Sequence, residues 1–222
     1  MYAAYDATRG VVKTTYVGRH RSLVEPQFPD FANVISRLRQ KGVQLDDGLT
    51  SSEFGRIRDE LGLVPPPDVR QFLSTVLPVG SYYPNWRGDL SGVHNLFIEP
   101  IVPHFIFHVQ HNVFWCDDWG DRPTNTNDAV SLAQSRLETV PRLFPLGDTM
   151  YLKGVPCTPD QSGNPVFSVR GSDVLHAGRN IVEYLTWLSE PPETVADDPT
   201  PVFCDDYRDI PFWTETCRWN NV

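Results

Sequence analysis

The chain has 222 residues, of which 40% are apolar, and a formal net charge of −9. Its length fits one large domain or one domain with appendages. The acidic balance argues against binding to a nucleic-acid backbone, which requires clustered Lys and Arg, and favours a basic partner. No segment approaches the ~20 apolar residues that span a bilayer, and the first residues lack the basic and apolar regions of a secretory signal. We therefore expect a cytoplasmic protein that does not bind membranes.

The charge is unevenly distributed along the chain, which we divide into three parts. Residues 1–27 form a basic N-terminal extension with one predicted strand, and residues 28–189 form the predicted domain. Residues 190–222 are rich in Pro and acidic residues and carry a net charge of −6, which leaves −3 for the first 189 residues. This composition is typical of a linker or of a tail that follows the surface. The aromatic residues in the tail indicate that it packs somewhere, without indicating where.

Three helical patterns open the domain. Asp30 is positioned to cap the first helix, which ends before Gly42. Thr50 and Glu53 form a capping box for the second helix, and Gly62 ends it. Three prolines at 65–67 set the start of the third helix. The apolar residues that line these helices are Phe31, Val34, Ile35 and Leu38, then Phe54, Ile57 and Leu61, and finally Val69, Phe72, Leu73 and Val76.

Short β-branched and aromatic runs follow Pro78 and predict strands at 94–99, 104–110 and 112–115. A polar loop, a helix from Asp128 to Glu138, and two strands at 142–146 and 149–153 come next. The last part, "PVFSVRGSDVLHAGRNIVEYL" at 165–185, predicts a strand, a turn at Gly171, a second strand ending at Gly178, and a helix. Helices followed by strands and a closing helix are typical of an α+β fold with a predominantly antiparallel sheet.

The segment 165–185 resembles the signature of the SUKH superfamily, in the branch of the fungal cell-wall-assembly regulators and the bacterial immunity proteins. The segment 49–88 and the run 111–123 are also similar to this family, so the resemblance covers roughly residues 28–188. The matching residues are Leu49, Thr50, Glu53, Leu61, Gly62, Pro66, Pro67, Asp68, Phe72, Leu73, Tyr83, Trp86, Pro165, Val166, Phe167, Ser168, Val169, Asp173, Gly178, Tyr184 and Leu185.

The chain departs from the family's pattern at several positions. Family members often have an acid at the position of His108, Glu at that of Gln110, and two aromatics at 176–177. A His-Arg-Tyr run that is common near 148–151 is here "DTMY". The last departure affects partner contacts made through that loop. For the fold, the resemblance implies a mixed, mostly antiparallel sheet flanked by about four to five helices. It also implies no enzymatic activity and no cofactor.

The run "CDDWGDR" at 116–122 is the most distinctive polar segment. Its acids Asp117, Asp118 and Asp121 could form a solvated turn or, less readily, hold a hard cation, but their spacing fits no EF-hand loop. Exposed carboxylates beside Trp115 and Trp119 fit an interface patch for a basic protein better. We therefore predict a protein-binding site rather than a metal or catalytic site. The predicted binding residues are Trp86, Trp115, Asp117, Asp118, Trp119 and Asp121.

Other polar residues offer weaker sites. His104 and His108 would lie about 13 Å apart on the predicted strand, too far to share a zinc ion, and His111 would face away. Ser168 is not in a nucleophile elbow, and Cys116 near His111 lacks an orienting third group. The four cysteines at 116, 157, 204 and 217 have no CxxC spacing; we expect free thiols and leave a Cys204–Cys217 disulfide open.

These patterns predict a non-enzymatic, intracellular protein-binding module. The SUKH resemblance implies an immunity protein that binds and neutralises a cognate toxin domain, which the charge suggests is basic. Two alternatives stay open: a regulatory or scaffold protein of the cell-wall-assembly type, and a metal-dependent enzyme that uses the acids at 117–121. The acidic tail, if it is not simply solvated, could mimic nucleic-acid charge toward a nuclease toxin. Partner identity and oligomeric state are not predicted.

Overall fold

The computed structural model describes residues 30–155, 162–189 and 208–220, together with the backbone of two short paired strands, β1 (Ala4–Tyr5) and β2 (Val12–Lys13). The three predicted N-terminal helices are confirmed as α1 (Ala32–Gln40), α2 (Ser51–Leu61) and α3 (Pro67–Thr75). Between them, β3 (Leu45–Asp47) and β4 (Val76–Pro78) pair antiparallel. Buried side chains from all three helices belong to one hydrophobic core.

The capping box of α2 forms as the sequence predicts. The Thr50 hydroxyl accepts a hydrogen bond from the Glu53 amide, and a Glu53 carboxylate oxygen accepts from the Thr50 amide at 2.7 Å. Arg87 donates to the other Glu53 oxygen at 2.7 Å. These bonds, first Arg87's and then those of Thr50, lower the pKa of Glu53 to about 2. Gly62 ends the helix in the left-handed conformation at φ 63°, which glycine adopts without steric cost.

The strands predicted at 94–99, 104–110 and 112–115 are wrong. Helix α4 (Leu90–Val93) continues into a π-helical turn (His94–Ile98), and α5 (Ile101–Gln110) follows after two turn residues. Strand propensity is overridden by packing, because helical geometry buries Phe97, Phe105 and Val109 in the core. Pro103 lies in the first turn of α5, where an amide has no intrahelical partner. Residues 112–115 leave the helix through Asn112, whose φ of 56° is left-handed.

The second half of the chain follows the predicted order. Helix α6 (Thr126–Leu137) starts two residues earlier than predicted, because the Asn125 side chain accepts hydrogen bonds from the amides of Asn127 and Asp128. Strands β5 (Arg142–Gly147), β6 (Met150–Val155), β7 (Val166–Arg170) and β8 (Asp173–Gly178) form a sheet in that order. Helix α7 (Ile181–Ser189) packs against α1. The α+β prediction is confirmed, and every pairing among the described strands is antiparallel.

The last described segment packs, as its aromatic residues suggested, and its contact is with the sheet. Helix α8 (Trp213–Asn220) lies along β8, one of the two edge strands of the four-stranded sheet. The Asn220 amide donates to the carbonyl oxygens of Ser172 and Val174 at 2.7 and 3.3 Å. The helix thereby covers polar groups of a strand edge that would otherwise be open to pairing with another chain. Residues 190–207, including Cys204, lie outside the described residues. No described helix has the length and apolarity that a bilayer crossing requires.

The helical assignment of α5 can be tested with two phenylalanines two residues apart. Phe105 is fully buried, whereas Phe107 is 53% exposed, as a helix requires because it places such residues about 200° apart. We expect Phe105→Ala to lower the free energy of unfolding by about 3–5 kcal/mol, and Phe107→Ala by no more than about 0.5 kcal/mol. Urea denaturation measures both. A strand would place both rings on one face, so equal losses would contradict the helix.

Candidate functional site

The structure separates Trp86 from the other predicted binding residues. Its indole is 2% exposed and stacks on Phe144 with ring centroids 5.0 Å apart. The Arg56 guanidinium donates to the Trp86 carbonyl oxygen and to that of Gly88. Trp86 is therefore a core residue in this structure, and its ring does not face the surface.

The other five predicted residues come together in one loop, residues 115–121, which we call the acidic loop. Its centre is a 3₁₀ turn (Asp117–Trp119). The carboxylates of Asp117, Asp118 and Asp121 are exposed, as predicted. The Trp119 ring is buried and lies parallel to the Phe212 ring at 5.9 Å.

Trp115 is half-buried and closes the acidic loop. Its indole nitrogen donates to the Gly120 carbonyl oxygen at 2.7 Å, and the Arg122 guanidinium lies over its ring at 5.9 Å from the centroid. The two indoles of the loop contact each other edge to face at 5.2 Å. Part of the tryptophan surface that the sequence assigned to a partner is thus used to hold the loop in place.

A pocket of about 300 Å³ opens between the acidic loop and α8, and we call it the tryptophan pocket. Burial, and then the adjacent Glu215 carboxylate, raise the pKa of the Cys116 thiol in its wall to about 12. The sequence indicated Trp115 and Asp117 but not Glu215 or Trp219, because nothing local shows that α8 packs beside the loop. The residues that line the pocket include Phe114, Trp115, Asp117, Glu215, Arg218 and Trp219.

A larger cleft of about 630 Å³ lies between α5, the π-helical turn and the sheet, and we call it the α5 cleft. Its lining includes three large apolar side chains that are mostly exposed: Leu96 at 73%, Tyr82 at 70% and Phe107 at 53%. The polar lining residues include His104, His108, Asp148, Thr149 and Arg170.

The α5 cleft is not predicted from the sequence when residues 94–99 and 104–110 are assigned to strands, because its lining depends on the helical geometry of this segment. Apolar residues recur every four positions at Phe97, Ile101, Phe105 and Val109, a spacing that indicates one face of a helix. That signal could have shown that Leu96 and Phe107 lie off the buried face.

The rim of the α5 cleft is held by an unusual turn at 147–148. Gly147 has a φ of 156°, and an added Cβ would meet the Tyr82 carbonyl oxygen at 2.8 Å. The Asp148 amide donates to that same oxygen at 2.6 Å, with Asp148 itself at a φ of 45°. Tyr82 is therefore fixed beside the stretch 148–151, where this chain departs from the SUKH pattern. Burial, followed by the charge of Asp148, raises the pKa of Tyr151 to about 12.

The histidines occupy positions that differ from the strand prediction. His104 and His108 lie one turn apart on α5, and the His108 Nδ1 atom is 2.6 Å from the buried Ser172 hydroxyl. The His111 ring packs on Phe107 with centroids 4.1 Å apart. Among the described residues, no three His, Cys, Asp or Glu side chains come together in a way that could hold a metal ion. Ser168 lies in β7, with its hydroxyl 3.4 Å from that of Thr149.

His176, another departure from the SUKH pattern, lies beneath α8. Its Nδ1 atom is 3.0 Å from the buried Cys217 sulfur, and its ring packs on Phe167 at 5.0 Å. Burial, and then the positive charge of Arg218, lower the pKa of His176 to about 4. The possible Cys204 partner of Cys217 lies outside the described residues.

No protein-family model matches this chain, and comparisons with curated proteins and with solved structures give no significant match. The SUKH resemblance accordingly stays a prediction from the residues that carry it.

Because of His176, which lies beneath α8, the folded protein should become less stable as the pH falls. The unfolded chain binds a proton at this site near pH 6.5, but the folded chain only near pH 4, so stability contributed at neutral pH is lost between these values. Relative to His176→Gln, the wild type should lose up to about 3 kcal/mol over this range. Urea denaturation at several pH values measures the difference. His94→Gln, at an exposed histidine, serves as the control, and its stability should depend on pH as that of the wild type does. If the stability of His176→Gln has the same pH dependence as the wild type, the assignment to His176 is contradicted.

Proposed function

We propose that this chain is a non-enzymatic protein-binding module and that the α5 cleft is its main contact surface. One observation carries the proposal: Leu96, Tyr82 and Phe107 line one cleft and are each more than half exposed. Large apolar side chains gathered on a surface are characteristic of interaction sites, whereas single ones need no explanation. The cleft's rim is also held by backbone contacts, so a partner would meet a preorganised surface.

We further propose that the partner is a toxin and that this chain is an immunity protein that neutralises it. The support for this step is the SUKH resemblance, whose bacterial members include such proteins, and the net charge of −9. An acidic binder attracts a basic partner at long range and raises the rate of encounter. The apolar side chains of the α5 cleft would then supply most of the affinity, as aromatic anchors do in other interfaces.

The product of the neighbouring gene is the first partner to test. We expect it to be toxic to cells that lack this protein and to co-purify with it. Phe107→Asp and Leu96→Asp should each weaken binding by at least about thirtyfold, because each places a charge in an apolar contact. Isothermal titration calorimetry of the purified pair measures the effect, and loss of protection in cells should accompany it.

Trp187→Asp provides the matched control, since Trp187 is 48% exposed but lies on α7 outside the α5 cleft. This variant should bind the partner as the wild type does. If the neighbouring product is harmless without this protein, the immunity proposal fails. If Trp187→Asp and Phe107→Asp weaken binding equally, the α5 cleft is not the contact surface.

A further inference from the structure

The tryptophan pocket combines aromatic walls with carboxylates at one site. Phe114 is buried, and the exposed Trp219 ring meets it edge to face with centroids 5.6 Å apart. Trp115 lines the pocket from the acidic loop and is held by its hydrogen bond to Gly120. Such walls favour a ligand that has an apolar stem and a positive charge, because aromatic faces attract cations and the stem covers apolar surface.

The Glu215 carboxylate connects α8 to the acidic loop. Its Oε1 atom accepts a hydrogen bond from the Asp118 amide at 3.3 Å. The carboxylate is also adjacent to the Cys116 thiol, whose pKa it raises after burial does. Because Glu215 lines the pocket, its negative charge would attract a cationic ligand there.

The charges in the tryptophan pocket also select a cation. Among the described residues that line it, Asp117 and Glu215 are acidic and Arg218 is basic. Arg218 is exposed. Its positive charge also acts on His176, where it is the second cause, after burial, of the lowered pKa. Among the described lining residues, the carboxylates therefore outnumber the guanidinium, and the lining carries a net negative charge. The Arg122 guanidinium, which lies over the Trp115 ring, is not part of this lining.

We infer that the tryptophan pocket receives a lysine or arginine side chain of the protein partner. The volume of about 300 Å³ is at the lower end for small-molecule sites and suits one side chain rather than a folded element. The inference rests on the proposed protein-binding function for the source of the cation, and it identifies the partner chemistry as basic. Binding at this pocket would add to the apolar contact made in the α5 cleft.

The pocket can be tested on the isolated protein with small probes. N-acetyl-lysine amide and N-acetyl-arginine amide are titrated while the indole N–H resonances of Trp115 and Trp219 are followed by NMR. We expect a saturable shift of both resonances with millimolar affinity, and no saturation with the uncharged N-acetyl-norleucine amide. Equal responses to the charged and uncharged probes, or no saturable response to the charged ones, would overturn the inference.

Variants then assign the response to the pocket. Trp219→Ala and Glu215→Gln should each weaken binding of the charged probes about fivefold or more, consistent with a lost cation–π contact or charge. Arg218→Ala should strengthen it. Trp187→Ala, at a comparably exposed indole on α7, should change nothing. Circular dichroism confirms that each variant is folded. A Trp187→Ala effect as large as that of Trp219→Ala would assign binding to a general surface effect instead.

The outcome separates this inference from the proposed function. If the charged probes bind but no toxin partner is found, the tryptophan pocket is still a site for cationic side chains, and the immunity proposal fails. If a toxin partner is found but Trp219→Ala binds it as tightly as the wild type, the protein-binding function stands and the inference fails.

Discussion

A cluster of aromatic rings around Phe105 holds together the parts of the molecule that form its candidate surfaces. Phe105 is fully buried and contacts Phe114, Phe212 and Trp213 with ring centroids 5.1, 5.3 and 6.0 Å apart. Phe114 follows α5, Phe212 directly precedes α8, and Trp213 is the first residue of α8. Since edge and tilted ring contacts favour particular geometries, the cluster sets the orientation of α5 and α8 together. Both the α5 cleft and the tryptophan pocket depend on that orientation.

The same cluster explains why the two surfaces differ in character. Helix α5 turns Phe105 inward, so Phe107 faces out and lines an open cleft. On the acidic loop, the indoles are drawn toward the core, with Trp119 stacked on Phe212, and the carboxylates between them are left in solvent. Apolar area is therefore concentrated at α5 and negative charge at the acidic loop. In protein interfaces such a division assigns affinity to the first and partner selection to the second.

Local sequence signals predicted the conformation correctly where it is determined by residues that are close together in the chain. The Thr50–Glu53 capping box, the turns at Gly62 and Gly171, and the strands on either side of Gly171 form as predicted, because each depends on residues a few positions apart. The strand predictions at 94–110 failed because β-branched and aromatic residues also suit a buried helix face, and only the four-residue spacing separates the two. Trp86 in the core and Glu215 beside the acidic loop depend on contacts between distant segments, which a single sequence does not show.

Helix α8 links the acidity of the C-terminal region to the candidate sites in a way that composition alone did not indicate. One acidic residue of this region, Glu215, is carried by α8 to the acidic loop, where it bonds the Asp118 amide. On the other side of the same helix, Asn220 covers the edge of β8. The helix that covers the β8 edge of the sheet therefore also completes the tryptophan pocket. A change that loosened α8 would open a strand edge and remove half of the pocket's lining together, so stability and binding at this end of the molecule should be coupled.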